Sequence, residues 1–143
     1  MKLLRARATD AEILAACREW IDLAASGRLD EAIDMLHVPD RYDQSQHWTT
    51  DSLREYIGNY GSWDPWPDGR TWLITDMTTA RLPDDRPNFE PRADVVRFDA
   101  NPSSGSAEVD VPLNGQWSDL TAQFEFEPVG VGTGLSLYDL HVL

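Results

Sequence analysis

The hydrophobic pattern opens with helical periodicity and closes with strand alternation. Thr9 followed by Glu12 has the spacing of a capping box, in which the two residues reciprocally satisfy backbone amides at a helix start. From there Ile13, Leu14, Cys17, Trp20, Ile21 and Ala24 recur at three- and four-residue spacing, one apolar stripe of an amphipathic helix, and Gly27 supplies a left-handed stop. Leu29, Ala32, Ile33 and Leu36 form the stripe of a second helix that Pro39 ends. After the polar stretch Asp40 to Thr50, a third helix is marked by Leu53, Tyr56, Ile57 and Tyr60, capped by Thr50 or Asp51. It frays into residues 58–69 (GNYGSWDPWPDG), whose Gly, Pro and Asp content reads as loop.

Beyond that loop the apolar period falls to alternate residues. Trp72 and Ile74 alternate with Thr71 and Thr75, which predicts a strand over Arg70 to Asp76, extendable through Met77 to Leu82. The connection PDDRPNFEPR at 83–92 has no period, and Val95, Val96 and Phe98 then predict a strand from Asp94 to Asp99. In Ala107 to Val111 the apolar Ala107, Val109 and Val111 alternate with Glu108 and Asp110, giving one buried and one acidic face. Asn114-Gly115 is a two-residue hairpin signal, because both central positions of a type I′ turn need positive φ. The strand after it, Trp117 to Glu127, sets Leu120, Ala122, Phe124 and Phe126 against Thr121, Gln123, Glu125 and Glu127. Gly130, Gly132 and Gly134 predict a flexible turn, and Leu135, Leu137, Leu140, Val142 and Leu143 suit a last strand inside the sheet. Helices precede strands, with no βαβ alternation and no glycine-rich phosphate loop. The expectation is one α+β domain over residues 1–143: three N-terminal helices packed on a curved antiparallel sheet of about five strands.

Residues 24–32, Ala-Ala-Ser-Gly-Arg-Leu-Asp-Glu-Ala, lie between the two opening helices. In this phrase and in its topology the chain resembles the nuclear-transport-factor-like superfamily, the SnoaL-like or cystatin-like cone folds. Members often place a strand between the second and third helices, whereas Tyr42 to Thr49 here is polar. The superfamily includes isomerases, cyclases, dehydratases and non-catalytic binding modules, so the resemblance implies a fold and leaves function open.

Charge narrows the partners. The 143 residues carry 25 acidic against 12 basic side chains, a formal charge of -13, and Lys2 is the only lysine. Phosphate backbones and anionic membrane surfaces would be repelled, so neither nucleic acid nor membrane is expected as a partner. Six Trp, four Tyr and four Phe argue for a packed core despite the charge. After Arg97 the chain has Asp99, Glu108, Asp110, Asp119, Glu125, Glu127 and Asp139 but no Lys or Arg. A solvent-facing sheet built there would present an unneutralised acidic face, which steers cationic partners. Cys17, the only cysteine, excludes an internal disulfide and lies on a core stripe. MKLLRARATD lacks the apolar run of a signal peptide, and no stretch approaches the roughly 18 apolar residues of a spanning helix, so a soluble cytoplasmic protein is expected.

Candidate chemistry is sparse. His37, His47 and His141 have no ligand spacing, so no metal or other cofactor is expected. An enzyme of the cone type would hold an acid/base pair beside aromatics, and Tyr42, Asp43 and His47, next to Trp48, are the residues to fill that role. The most unusual local sequence is Trp63-Asp64-Pro65-Trp66-Pro67-Asp68, two tryptophans held by prolines and flanked by aspartates, the composition of a preorganised recognition loop. The leading expectation is a non-enzymatic acidic protein that captures a basic protein partner, such as a bacterial immunity protein blocking a toxin domain. Trp63, Asp64, Trp66, Asp68, Glu108, Asp110, Glu125 and Glu127 would make the contacts. The alternative is a cone-fold enzyme or small-molecule binder using Tyr42, Asp43 and His47. A third reading, a homodimer through the open sheet face, requires exposed apolar residues among the acidic ones, and these strands largely lack them.

Overall fold

Helix starts follow their local signals. Thr9 caps α1 (Asp10–Ala25): its hydroxyl accepts the Glu12 amide at 3.2 Å while the Glu12 carboxylate accepts the Thr9 amide. In the computed structural model, which describes residues 1–143, α1 ends at Ser26 and the chain turns through Gly27. The second helix, α2 (Leu29–Asp34), stops well before Pro39, although Leu36 beyond it is still buried. The third helix, α3 (Thr50–Gly58), is capped by Thr49 rather than Thr50 or Asp51. Its hydroxyl accepts the Ser52 amide at 3.0 Å and the Ser52 hydroxyl accepts the Thr49 amide at 2.9 Å, a capping box with serine in the acidic position. No helix is long and apolar enough to cross a membrane.

Five antiparallel strands curl into a half-barrel in the order β1-β5-β4-β3-β2. They are β1 (Leu4–Arg5), β2 (Ala93–Phe98), β3 (Asn101–Leu113), β4 (Gln116–Val129) and β5 (Gly132–Val142). The β3–β4 hairpin turns on Asn114 and Gly115 at φ 51° and 84°, the positive angles that a type I′ turn requires. The next turn is tighter than three glycines suggested: Gly130 makes it, and Gly132 and Gly134 lie inside β5. Between β4 and β5 the register slips, with Gln123 opposite Asp139 but Phe124 opposite Leu137, so Tyr138 is the extra residue of a β-bulge.

One predicted strand does not form. Arg70–Asp76 reaches the sheet through a single bridge, Ile74 to Leu113, while the Thr75 amide donates to the Pro112 carbonyl and the Asn114 amide to the Leu73 carbonyl. Its neighbour there is the irregular end of β3, where Pro112 offers an acceptor and no N–H, so a ladder cannot propagate. The fifth place is taken instead by β1, which pairs Leu4 and Arg5 with Thr133 and Gly132. At the opposite margin β2 leaves Val96 and Phe98 exposed.

The helices lie on the concave side and fill it. Trp20, Ile13 and Ile21 of α1 meet Phe124, Leu120, Leu135, Leu137 and Leu140 of the sheet, all fully buried. Trp20 stands edge-on against Phe124, ring centroids 5.5 Å apart at 79°, the arrangement that aromatic quadrupoles favour. Cys17 is sealed in this layer, and burial pushes its thiol up to about 12. Because Phe124 is surrounded on every side, Phe124→Ala is expected to cost about 3–5 kcal/mol, read from urea unfolding; a loss under ~1 kcal/mol would show that the interior collapses around the gap.

Arg5 ties β1 to α1. Its Nε lies 2.9 Å from both Glu12 oxygens and its terminal nitrogen 2.7 Å from one, and these hydrogen bonds, with that from Thr9, pull the Glu12 carboxyl from 4.5 down to about 2. A depressed carboxylate stabilises the fold above its unfolded value, and that contribution is lost as pH falls through the folded one. The Glu12 carboxyl resonance should therefore titrate near pH 2, with the clasp's contribution to stability full above about pH 4.5 and lost progressively between there and about pH 2. Titration at the ordinary value would mean that the clasp is open in solution.

Candidate functional site

Of the acidic residues expected on the exposed sheet face, Glu108, Glu125 and Glu127 are each paired with an arginine. Arg92 binds Glu108 at 2.8 Å, Arg41 binds Glu125 at 3.2 Å and Glu127 at 3.0 Å, and Arg86 binds Asp119 at 3.2 Å. His37 Nε2 adds a contact to Glu127 at 3.3 Å. Asp110, expected on the exposed face, is only 5% exposed; it accepts the Arg92 amide at 2.8 Å and the Thr121 hydroxyl at 2.6 Å. Strand alternation shows which side a residue faces but not what crosses over it. The arginines come from the segments before α3 and before β2, far away in sequence.

The chain between α2 and α3 wraps the margin of β5 that β1 leaves uncovered. The His37 amide donates to the Leu135 carbonyl at 2.7 Å and the Trp48 indole to the Leu137 carbonyl at 3.1 Å. Gly61, at φ 76°, brings the end of α3 onto the same margin; a Cβ there would lie 2.5 Å from the Leu140 carbonyl. Strand edges are commonly covered in this way. The wrap also gathers three rings. Trp63 lies 4.6 Å from Tyr56 and 6.1 Å from Trp48, nearly parallel to the second indole at 25°. Tyr138, put out of alternation by the bulge, lines the same cleft with its neighbour Asp139, as does Asp43.

The result is a surface cleft of about 180 Å³ with Trp48, Tyr56, Trp63 and Tyr138 as walls and Asp43 and Asp139 as its charges. Asp139 accepts the Leu140 amide at 2.8 Å and faces His141 Nδ1 at 2.9 Å. Burial, and then Asp139, pushes the Tyr56 phenol up to about 12. Asp43 caps a 3-10 turn (Gln44–Gln46), and its hydrogen bonds from the Ser45 hydroxyl and amide hold its carboxyl below the ordinary value. Neither carboxylate is paired with a lysine or an arginine.

No side-chain to side-chain hydrogen bond joins Tyr42, Asp43 and His47, the residues of the enzyme reading. The buried Tyr42 hydroxyl donates to Glu125 at 2.6 Å while its ring packs edge-on against Tyr138, centroids 6.0 Å apart, and burial together with Glu125 raises its phenol well above the usual range. His47 lies 3.3 Å from the Tyr42 carbonyl and makes no hydrogen bond to a carboxylate. No group of three or more His, Cys, Asp or Glu side chains is arranged to hold a metal ion. Comparison with protein-family models, curated proteins and solved structures finds no match.

The tryptophan loop divides. Trp63 joins the cleft, whereas Trp66 packs 4.8 Å from Trp72 and donates its indole N–H to the Asn59 carbonyl at 3.1 Å. Asp68 is held by Arg70 at 2.6 Å, and Asp64 has no basic partner. Tyr56, Tyr138 and Asp139 carry no site signal in the sequence, where Tyr56 reads only as a helix residue and Asp139 only as one more acidic position. The one signal for the last two is the broken alternation Leu135, Leu137, Leu140, which marks the bulge.

Tyr42 is the tightest link between the wrap and the sheet. Tyr42→Phe removes a donor from a part-buried carboxylate, and a loss of about 1 kcal/mol in chemical unfolding is expected. Unchanged stability would show that Arg41 alone satisfies Glu125.

Proposed function

We propose that the protein is a non-enzymatic binding protein that captures a basic protein partner through the aromatic and acidic cleft on the margin of β5. A bacterial immunity protein blocking a cationic toxin domain is the class of molecule that fits best. The observation that carries this reading is the filled half-barrel: Trp20, Phe124 and the leucines of β4 and β5 occupy the space where a cone-fold enzyme would hold substrate. Helices packed on a curled antiparallel sheet are compatible with the nuclear-transport-factor-like superfamily, and on this reading the chain corresponds to its binding modules rather than to its isomerases or dehydratases.

Electrostatics supports the choice of partner. The formal charge is -13, and the carboxylates without an arginine include Asp43, Asp64 and Asp139, in or beside the cleft and the loop that forms it. Such a field accelerates encounter with a cationic surface, while exposed aromatics provide the short-range contacts that slow dissociation. Trp63 is 45% exposed and Tyr138 46%, large rings available at low ordering cost.

Affinity capture from the native host at low salt, followed by stopped-flow association with the purified partner, tests this. The partner should be basic, and its association rate should fall about tenfold or more on raising salt to roughly 0.5 M. A neutral or acidic partner, or a rate indifferent to salt, overturns the proposal.

A further inference from the structure

Four carboxylate and aromatic groupings in this protein each hold an arginine, one of them Arg97 over Phe126 at 5.2 Å and bound to Asp10 at 2.7 Å. Arg70 lies over Trp66 and Trp72 at 5.6 and 5.9 Å and binds Asp68. Arg41 lies over Tyr42 at 5.4 Å and binds Glu125 and Glu127; Arg86 lies over Phe89 at 4.9 Å and binds Asp119. A fifth grouping has the same ingredients, the rings of Trp48, Tyr56, Trp63 and Tyr138 with the carboxylates of Asp43 and Asp139, and no lysine or arginine of this chain lines it.

We propose that this cleft is a recognition pocket for a single arginine side chain presented by the partner. The inference rests on the reading of the protein as a binder of a basic protein and specifies what the cleft takes. A guanidinium is planar and weakly hydrated, so it can lie against an indole face while its N–H groups reach a carboxylate. The cleft offers both: Trp48 and Trp63 are nearly parallel, and Asp139 stands at the cleft beside Tyr138. The Leu140 amide and His141 fix the orientation of the Asp139 carboxylate, and the Ser45 amide and hydroxyl fix that of Asp43, so both acceptors are held in place before binding. An arginine within a polypeptide is favoured over the free amino acid, because the α-carboxylate of the latter would meet a chain of net charge -13.

The test is titration of the ¹⁵N-labelled protein with N-acetyl-L-arginine amide, following the indole N–H resonances of Trp48 and Trp63. The neutral isostere N-acetyl-L-citrulline amide and free L-arginine form the other arms. Saturable shifts at these two indoles, with affinity about tenfold above that for the citrulline compound, are expected. Asp139→Asn and Trp63→Ala should each reduce that affinity severalfold, while the Trp66 indole, already packed under Arg70, shifts in neither case. Equal response to citrulline, affinity unchanged in both variants, or tighter binding of free L-arginine than of the capped form overturns the proposal. Partner capture undiminished by the two substitutions overturns the pocket while leaving the broader function standing. Failure to capture any basic partner removes the broader function, and the titration still decides whether the cleft takes arginine.

Discussion

The contact between Trp20 and Phe124 organises the interior of this fold. A half-barrel roofed by helices can enclose a cavity or be packed solid, and two large rings meeting edge-on near its centre close the space. Protein interiors reach crystal-like density, so once such a pair is in place the surrounding leucines and isoleucines complete the layer. At the margin of the sheet the chain covers an exposed strand.

That covering is held by ions as well as by packing. Arg41, whose side chain is about half exposed, forks between Glu125 and Glu127, and surface pairs of this kind contribute about 1 kcal/mol or less each. Their larger effect is positional, since they pin the segment between α2 and α3 across the sheet and so fix where Asp43 and Trp48 stand. Neutralising the sheet acids also redistributes the field. The negative potential is carried by the carboxylates that no arginine reaches, which makes it more local than the total charge implies.

Much of the fold was legible because its signals are short-range. The capping box at Thr9 and Glu12, the Asn114-Gly115 turn and the alternation through Phe124 and Phe126 each depend on residues a few positions apart, and each formed as read. The strand expected at Arg70–Asp76 failed because its fate rested on Pro112, forty residues away along the chain by rough count, and β1 escaped notice because two residues give no period. The site was legible in part. Trp63 and the polar segment with Asp43 were visible as unusual sequence, but the cleft joins residues 43 to 139 and exists only once the wrap is in place. Glu108, Asp110, Glu125 and Glu127 read as a free acidic face because alternation carries no information about the arginines that cross it.

The bulge at Tyr138 has a meaning for how such a surface can arise. In a regular strand, adjacent residues point to opposite faces, so a ring and a carboxylate side by side in sequence cannot serve one site. Inserting one residue inverts the phase, so that Leu137 before it and Leu140 after it both keep their places in the core, and Tyr138 and Asp139 arrive together at the cleft. A single codon gained or lost at this point therefore switches the margin between an ordinary sheet border and a composite surface without disturbing the interior.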